Sequence, residues 1–267
     1  MPPPGDWVSY ENARPIEGTR FRLCEVTEID STNRALIDAN VRGEPAWLAL
    51  IAGHQTHGRG RRNRTWDAPP GSGLMMSVLL EPPVDTASVH LLATAVGLSA
   101  VEACRSFGAG AQLKWPNDVV ITGPDGSMAK LAGVLAESVV LGEAVSAAVV
   151  GIGLNLRPVP GRDAALGRTI AVLDSMTPTR IEPRELGLLI LHQLERHVQL
   201  VYDDPATLRA TAIGESALIG RRVRVELDGE TLVGVAVDVD VAGCLVVESA
   251  GRRRTLTVGD VVHAGVD

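Results

Sequence analysis

Aromatic side chains are scarce in this chain. Phe, Trp and Tyr together make up 3% of 267 residues, against 45% for all apolar types. Ala, Val, Leu and Ile must therefore fill the core, and each of the four Trp needs its own reason. Cysteine is scarce too. Cys24, Cys104 and Cys244 are odd in number and far apart, with no CxxC pair. That is a poor disulfide framework and suits a reducing compartment. Charge-free stretches such as Ala144–Leu156 fall short of the ~20 apolar residues a spanning helix needs. The opening residues, MPPPGDWVSYENARP, lack the basic-then-apolar layout of an export signal. These absences exclude a disulfide scaffold and a helical membrane protein. The expected location is the cytoplasm, with no membrane partner.

A basic surface is missing as well. The 25 Lys and Arg are outnumbered by 32 Asp and Glu, for a net charge of −7, which argues against a general nucleic-acid binder. No Gly-Lys-Ser/Thr phosphate loop and no GxGxxG occurs anywhere. His192 and His197 stand five apart on an expected helix, whereas metal-binding pairs normally stand four apart. They read as structural, and no metal site is expected.

What is present divides into three stretches. Residues 1–19 are rich in Pro and polar types and read as a loose leader. Residues 20–213 mix strand and helix patterns. Strands are expected at Phe21–Val26, Ala46–Ala52, Leu74–Leu80, Ala111–Trp115, Val119–Thr122, Ala132–Leu141 and Ala144–Ile152. Helices are expected after an N-cap at Asp30 or Ser31, over Thr86–Phe107, and over Pro183–Tyr202. From 214 to 267 the pattern becomes short alternating strands. Val223–Leu227 alternates strictly, Asp228-Gly229 signals a hairpin, and Leu232–Val237, Leu245–Val247 and Thr255–Val258 follow. The class is α+β, a larger catalytic-sized domain followed by a small all-β module, expected to be a barrel.

Between His54 and Gly73 lies a long stretch without apolar periodicity, and such loops inside compact domains are functional or disordered. It contains Gly58-Arg59-Gly60-Arg61-Arg62-Asn63-Arg64-Thr65-Trp66, four arginines within six residues of an acidic protein. Glycines let backbone approach a ligand, and guanidinium groups grip phosphate or carboxylate in pairs. A solvated basic loop or a nucleic-acid patch would show the same composition. Lys114-Trp115-Pro116-Asn117-Asp118 combines a strand end with a turn. Lys130-Leu131-Ala132-Gly133 puts a lysine at the head of an apolar strand, and Gly151-Ile152-Gly153-Leu154-Asn155 closes another. Each alone is readable as a strand end or a turn.

In order along one domain, these segments resemble the biotin–protein ligase family. The shared pattern is STN (Ser31-Thr32-Asn33), then Q-x-x-GRGR-x-x-R-x-W from Gln55 to Trp66, then KWPND, KLAG and GxGxN. The likeness spans about Arg20 to the C-terminus. It implies a mixed sheet packed with helices, similar to class II synthetases, followed by an SH3-like barrel. Ser31, Thr32, Asn33 and Gln55 would line the pocket for biotin, whose ureido group needs donors and acceptors. Gly58 and Gly133 would belong to the same pocket. Arg59, Gly60 and Arg61 resemble a loop that folds over biotin and its adenylate. Lys130 would face the biotin carboxylate and the α-phosphate, and with Arg59 carry the catalysis. Arg62, Arg64, Lys114 and Asn117 would meet the nucleotide, with Trp66 and Asn155 around the adenine. Asp118 would hold a loop arginine, Arg61 being the nearest in pattern.

The implied reaction uses ATP with Mg2+ to convert biotin to biotinyl-5′-AMP, then acylates a lysine of a biotin carboxyl carrier domain. The enzyme would be a monomer or homodimer. His57 and Asn63 stand where the family usually has small residues, and Gly53 takes a place often acidic. The leader is too short for the helix-turn-helix domain of repressor members, so no operator binding is expected. Three rival readings remain. They are a lipoate- or octanoate-transferring enzyme, a nucleic-acid-binding regulator, and a dead module that merely holds biotin.

Overall fold

The computed structural model describes residues 8–81, 89–141, 144–167, 169–227, 229–257 and 259–265. The first two-thirds builds one eight-stranded sheet. Its strands are β1 (Arg14–Pro15), β2 (Arg22–Ile29), β3 (Leu48–Gln55), β4 (Gly73–Leu80), β5 (Ala111–Lys114), β6 (Asp118–Thr122), β7 (Met128–Leu141) and β8 (Ala144–Asn155). They lie in the order β1-β2-β3-β4-β8-β7-β6-β5. Helix α1 (Thr32–Val41) crosses from β2 to β3, which makes that pair parallel. Every other neighbouring pair in the sheet is antiparallel.

Period-two alternation sorts β3 between two cores. Ala49 and Ile51 join the larger core with Leu74, Met76 and the helices α2 (Val89–Ser106) and α4 (Pro183–Asp203). Leu48, Leu50 and Ala52 face the other way, onto Ala35, Leu36 and Ala39 of α1. Strand β4 is covered on both faces and buried at all eight positions, which is why it reads as an unbroken apolar run. Short α3 (Arg162–Leu166) follows β8, and α5 (Pro205–Gly214) follows α4. Among the described residues, no helix is long and apolar enough to cross a membrane.

The expected helices and strands fall close to their places, differing by a few residues at several ends. Thr86–Ser88 of the expected second helix lie outside the described residues. Strand β7 begins at Met128 rather than Ala132, so Lys130 sits inside a strand whose other edge is paired to β6. Strand β8 runs on to Asn155 because Gly153, Leu154 and Asn155 keep pairing with β4. The described part of the leader, from residue 8 on, is anchored to the fold. Tyr10 is buried and donates its hydroxyl to the Ala35 carbonyl at 3.2 Å, Arg14–Pro15 pairs with β2, and Ile16 joins the larger core. Two large apolar side chains give this Pro-rich segment something to bury.

The last third forms an antiparallel sheet from β9 (Arg222–Leu227), β10 (Glu230–Val239), β11 (Leu245–Ser249), β12 (Arg252–Leu256) and β13 (Asp260–Gly265). Its order is β12-β11-β10-β9-β13. The hairpin turn expected at Asp228-Gly229 joins Leu227 to Glu230 as paired residues, though Asp228 itself lies outside the described residues. The same holds for Val258 of the expected Thr255–Val258 strand. Val223, Val225, Leu232, Leu245 and Val247 form a small core, and Trp115 and Met128 from the large sheet pack against it. Trp115 also donates its indole N–H to the Gly243 carbonyl at 3.1 Å, and Arg209 on α5 forks onto both Asp238 oxygens at 2.6 Å. One scarce tryptophan is thereby explained as a bridge between the two sheets.

Candidate active site

One cavity of about 420 Å³ opens where the carboxyl ends of β3 and β8 meet the arginine loop. Its polar wall begins at α1. Ser31 caps that helix, its hydroxyl oxygen accepting from the Arg34 amide at 3.5 Å. Thr32 then donates from both its backbone N–H and its hydroxyl to Gln55 Oε1, at 2.8 and 2.9 Å. Asn33 donates through Nδ2 to Glu137 Oε2 at 2.8 Å and to the Leu135 carbonyl at 3.3 Å. Behind them stands Ser77 of β4, fully buried, with its Oγ 2.6 Å from both Thr32 Oγ1 and Asn33 Oδ1. Three of the four residues expected for a ureido-binding wall, Thr32, Asn33 and Gln55, thus form one hydrogen-bonded network with Ser77 as its hub, while Ser31 caps the helix beside them.

The opposite side is cationic. Arg59, Gly60, Arg61, Arg62, Arg64 and Trp66 of the loop all line the cavity. The loop closes on itself. Gly60 N–H donates to the Arg64 carbonyl at 2.8 Å, Trp66 N–H donates to the Gly58 carbonyl at 2.9 Å, and Arg62 adopts the left-handed backbone. Arg59 Nη2 lies 2.7 Å from Glu137 Oε1. Across the cavity, Lys114, Asn117, Asp118, Lys130 and Gly133 line the floor.

Lys130 comes from β7 and Asp118 from β6, and the ammonium donates directly to Asp118 Oδ1. The Lys130 side chain is 13% exposed, so its charge is aimed into the cavity rather than at bulk water. The resemblance expects a loop arginine, Arg61, beside Asp118. Lys130 holds the Oδ1 of that carboxylate, and Arg61 Nη1 donates to Asn117 Oδ1 at 3.2 Å, one residue away. A shift in β6–β7 pairing between Val119 and Val120 brings the lysine alongside the aspartate.

Two glycines shape the room. Gly153 is paired across the strand to Gly133, and the Trp66 indole rests on both. A Cβ on Gly153 would stand 2.2 Å from Trp66 Cε2, and one on Gly151 would stand 2.1 Å from Asn33 Oδ1. The Gly-x-Gly spacing therefore clears space at alternate positions on one face of β8, once for the polar wall and once for the indole. Lys130 Nζ lies 5.7 Å from the Trp66 ring centre, within cation–π range.

Two expected residues do not line the cavity. Gly58 is buried beneath the loop, where its carbonyl anchors Trp66. Asn155 is buried behind Lys130, donating from Nδ2 to the Lys130 carbonyl at 3.2 Å, and its Oδ1 has no partner. Ser77 and Glu137 were missed from sequence, since each sits among mostly apolar strand residues. One compositional signal was available for the floor. Lys114 and Lys130 are the only lysines in the chain, and both line this cavity. Among the described residues, no group of three or more His, Cys, Asp or Glu side chains could hold a metal. His197 is buried against Ser99 instead, its Nδ1 2.9 Å from the serine Oγ.

Comparison with known proteins places the chain in a family. The biotin/lipoate A/B protein ligase family matches residues 25–155, and the biotin protein ligase C-terminal domain matches residues 218–264. A biotin–[acetyl-CoA-carboxylase] ligase of Mycobacterium tuberculosis is 34% identical, with 98% of this chain and 96% of that protein covered. One from Paracoccus denitrificans is 30% identical over 88% of this chain and 98% of its own length. The structure of the Aquifex aeolicus biotin protein ligase in complex with biotin and ATP superposes with a TM-score of 0.74. The two are 26% identical, with 89% of this chain and 96% of that one covered. The chain belongs to the biotin protein ligase family.

Proposed function

We propose that this cavity binds biotin beside ATP, joins them as biotinyl-5′-adenylate, and passes the biotin to a lysine of a biotin carrier domain. The carrying observation is that the Ser31–Asn33 and Gln55 wall, the Lys130 ammonium and the arginine loop all face one space. Its volume lies within the roughly 300–1,000 Å³ usual for small-molecule sites. The wall offers the donors and acceptors a ureido ring requires. The lipoate branch of the same family is disfavoured by the match of residues 218–264 to the biotin ligase C-terminal domain.

In the first step a biotin carboxylate oxygen bonds to the α-phosphorus of ATP, and pyrophosphate leaves. Both reactants are anions. Lys130, fixed by Asp118, lowers their repulsion and neutralises charge building on the phosphoryl oxygens. Arg59 and Arg61 close the mouth and slow escape and hydrolysis of the mixed anhydride. In the second step the carrier lysine nitrogen bonds to the biotinyl carbonyl carbon, AMP departs, and the amine gives its proton to water. Trp66 supplies a ring face for adenine, and the unpartnered Oδ1 of Asn155 behind Lys130 is suited to accept from an N–H donor. Mg2+ would travel on the ATP phosphates, since the donor set offers no cage for it. The C-terminal sheet, which we take to close as an SH3-like barrel, contributes Val261 to the cavity. The three buried free thiols suit a cytoplasmic location.

The test is mass spectrometry of an apo biotin carrier domain incubated with the protein, ATP, Mg2+ and equal biotin and lipoate. A gain of one biotin, absent without ATP, supports the reading. A lipoyl gain would show that the wall is misassigned, and no gain would sink the proposal.

A further inference from the structure

Arg59 and Asn33 come from distant parts of the chain, yet both end on one carboxylate. Glu137 of β7 accepts from Asn33 Nδ2 at 2.8 Å through Oε2 and meets Arg59 Nη2 at 2.7 Å through Oε1. Its side chain is 20% exposed and does not line the cavity, so it grips the wall and the loop from behind. Leu135, two residues earlier and on the same face of β7, lends its carbonyl to the same Asn33 amide at 3.3 Å. A carboxylate with one oxygen on each partner cannot turn toward one without loosening the other. A merely solvated strand glutamate has no such constraint. Nor does Asn33 have slack to compensate, because its Oδ1 is taken by Ser77.

We propose that Glu137 is a positioning residue that ties the arginine loop to the biotin wall. It holds Arg59 at the cavity mouth and squares the Asn33 amide in the wall, so occupancy of the pocket and closure of the loop are linked through one side chain. Removing its charge loosens the loop from the wall, and the adenylate then escapes before a carrier lysine arrives. This inference rests on the proposed function and refines it.

The experiment uses the full chain without carrier domain and follows biotinyl-adenylate bound to protein and free in solution after one turnover. E137Q keeps the side-chain volume and an acceptor for Asn33 while losing the charge opposite Arg59. It is expected to release adenylate roughly tenfold faster, the scale of one charge-assisted contact at a half-exposed arginine. In an R59A background it is expected to add nothing further, because both changes act through one guanidinium. Release at the wild-type rate, or a full additional effect on top of R59A, would overturn the assignment. Should E137Q melt early, E137D decides the matter, with charge kept and reach shortened by a methylene. Faster release from a folded E137D supports the bridge, and unchanged release refutes it. A wild-type protein that forms no adenylate at all would instead sink the proposed function, leaving the two failures distinguishable.

Discussion

The Trp66 indole occupies the space that a side chain at Gly153 would need. A methyl group there would stand 2.2 Å from Cε2 and 2.5 Å from Nε1, while backbone pairing to Met75 on one side and Gly133 on the other holds β8 in place. The indole must therefore move, not the strand. G153A is expected to raise the KM for ATP about tenfold, in line with the ~1–3 kcal/mol that overpacking costs. Biotin binding measured calorimetrically without nucleotide is expected to change by less than about twofold, since the polar wall lies at the other glycine. Pyrophosphate release against ATP concentration checks this. An unchanged KM would mean that adenine does not use the ring.

Ser77 is the test of the polar wall. Its hydroxyl is buried and serves Thr32 and Asn33 together. S77A leaves Asn33 Oδ1 without its donor in a dry setting, where an unmet acceptor costs roughly 1–3 kcal/mol. Biotin affinity is expected to fall by about tenfold or more, with the KM for ATP nearly unchanged. Isothermal titration with biotin reads the first, and equal losses for both substrates would show general unfolding of the site rather than a wall defect.

Ser77 also shows where sequence reasoning stops. A single serine in the run GLMMSVLL reads as an apolar strand, because nothing local reports that β4 is covered on both faces with Thr32 and Asn33 against it. The strand itself was legible, as were α1, α4 and the alternation of β9, since these follow from apolar period alone. The arginine loop, Lys130 and the paired glycines were legible through motif order. The Lys130–Asp118 contact was not. It depends on a pairing shift between Val119 and Val120, and register is set by the whole sheet rather than by the residues that slip. Glu137 escaped for the same reason, as its two partners are more than seventy residues away along the chain.

Lys130 and Asp118 are expected to act as a unit. K130A removes the cation between two anions and is expected to slow single-turnover adenylate formation by roughly 10²–10³-fold, the usual effect of deleting one preorganised charge contact. D118N keeps the cation but frees it to swing, so a smaller loss is expected, carried by the rate and not by the KM for biotin. The double variant is expected to match K130A alone. Rapid-quench measurement of adenylate settles each rate. Adenylate formation by K130A at the wild-type rate would remove the lysine from the mechanism.

His197 gives the fold a pH limit below its active site. Its ring lies on α4, with Nδ1 against Ser99 of α2 and Nε2 3.4 Å from Glu102. These two helices cover the sheet face that carries Ile51, Leu74 and Met76. Burial pushes the imidazole below the ordinary histidine range, and Arg196 pushes the same way against the opposing pull of Glu102. Above pH ~6.5 both folded and unfolded chains hold this histidine neutral, so it costs nothing. As pH falls through that value the unfolded chain takes a proton the folded one refuses, and stability drops by at most ~1.4 kcal/mol per pH unit until the lowered folded value is reached. H197Q keeps an N–H for Ser99 but cannot titrate. It is expected to start from a lower melting temperature at pH 7.5 and to lose less of it by pH 5 than the wild type. Melting curves across that range decide the point, and parallel losses in the two proteins would mean that His197 takes its proton as readily inside the fold as in the unfolded chain.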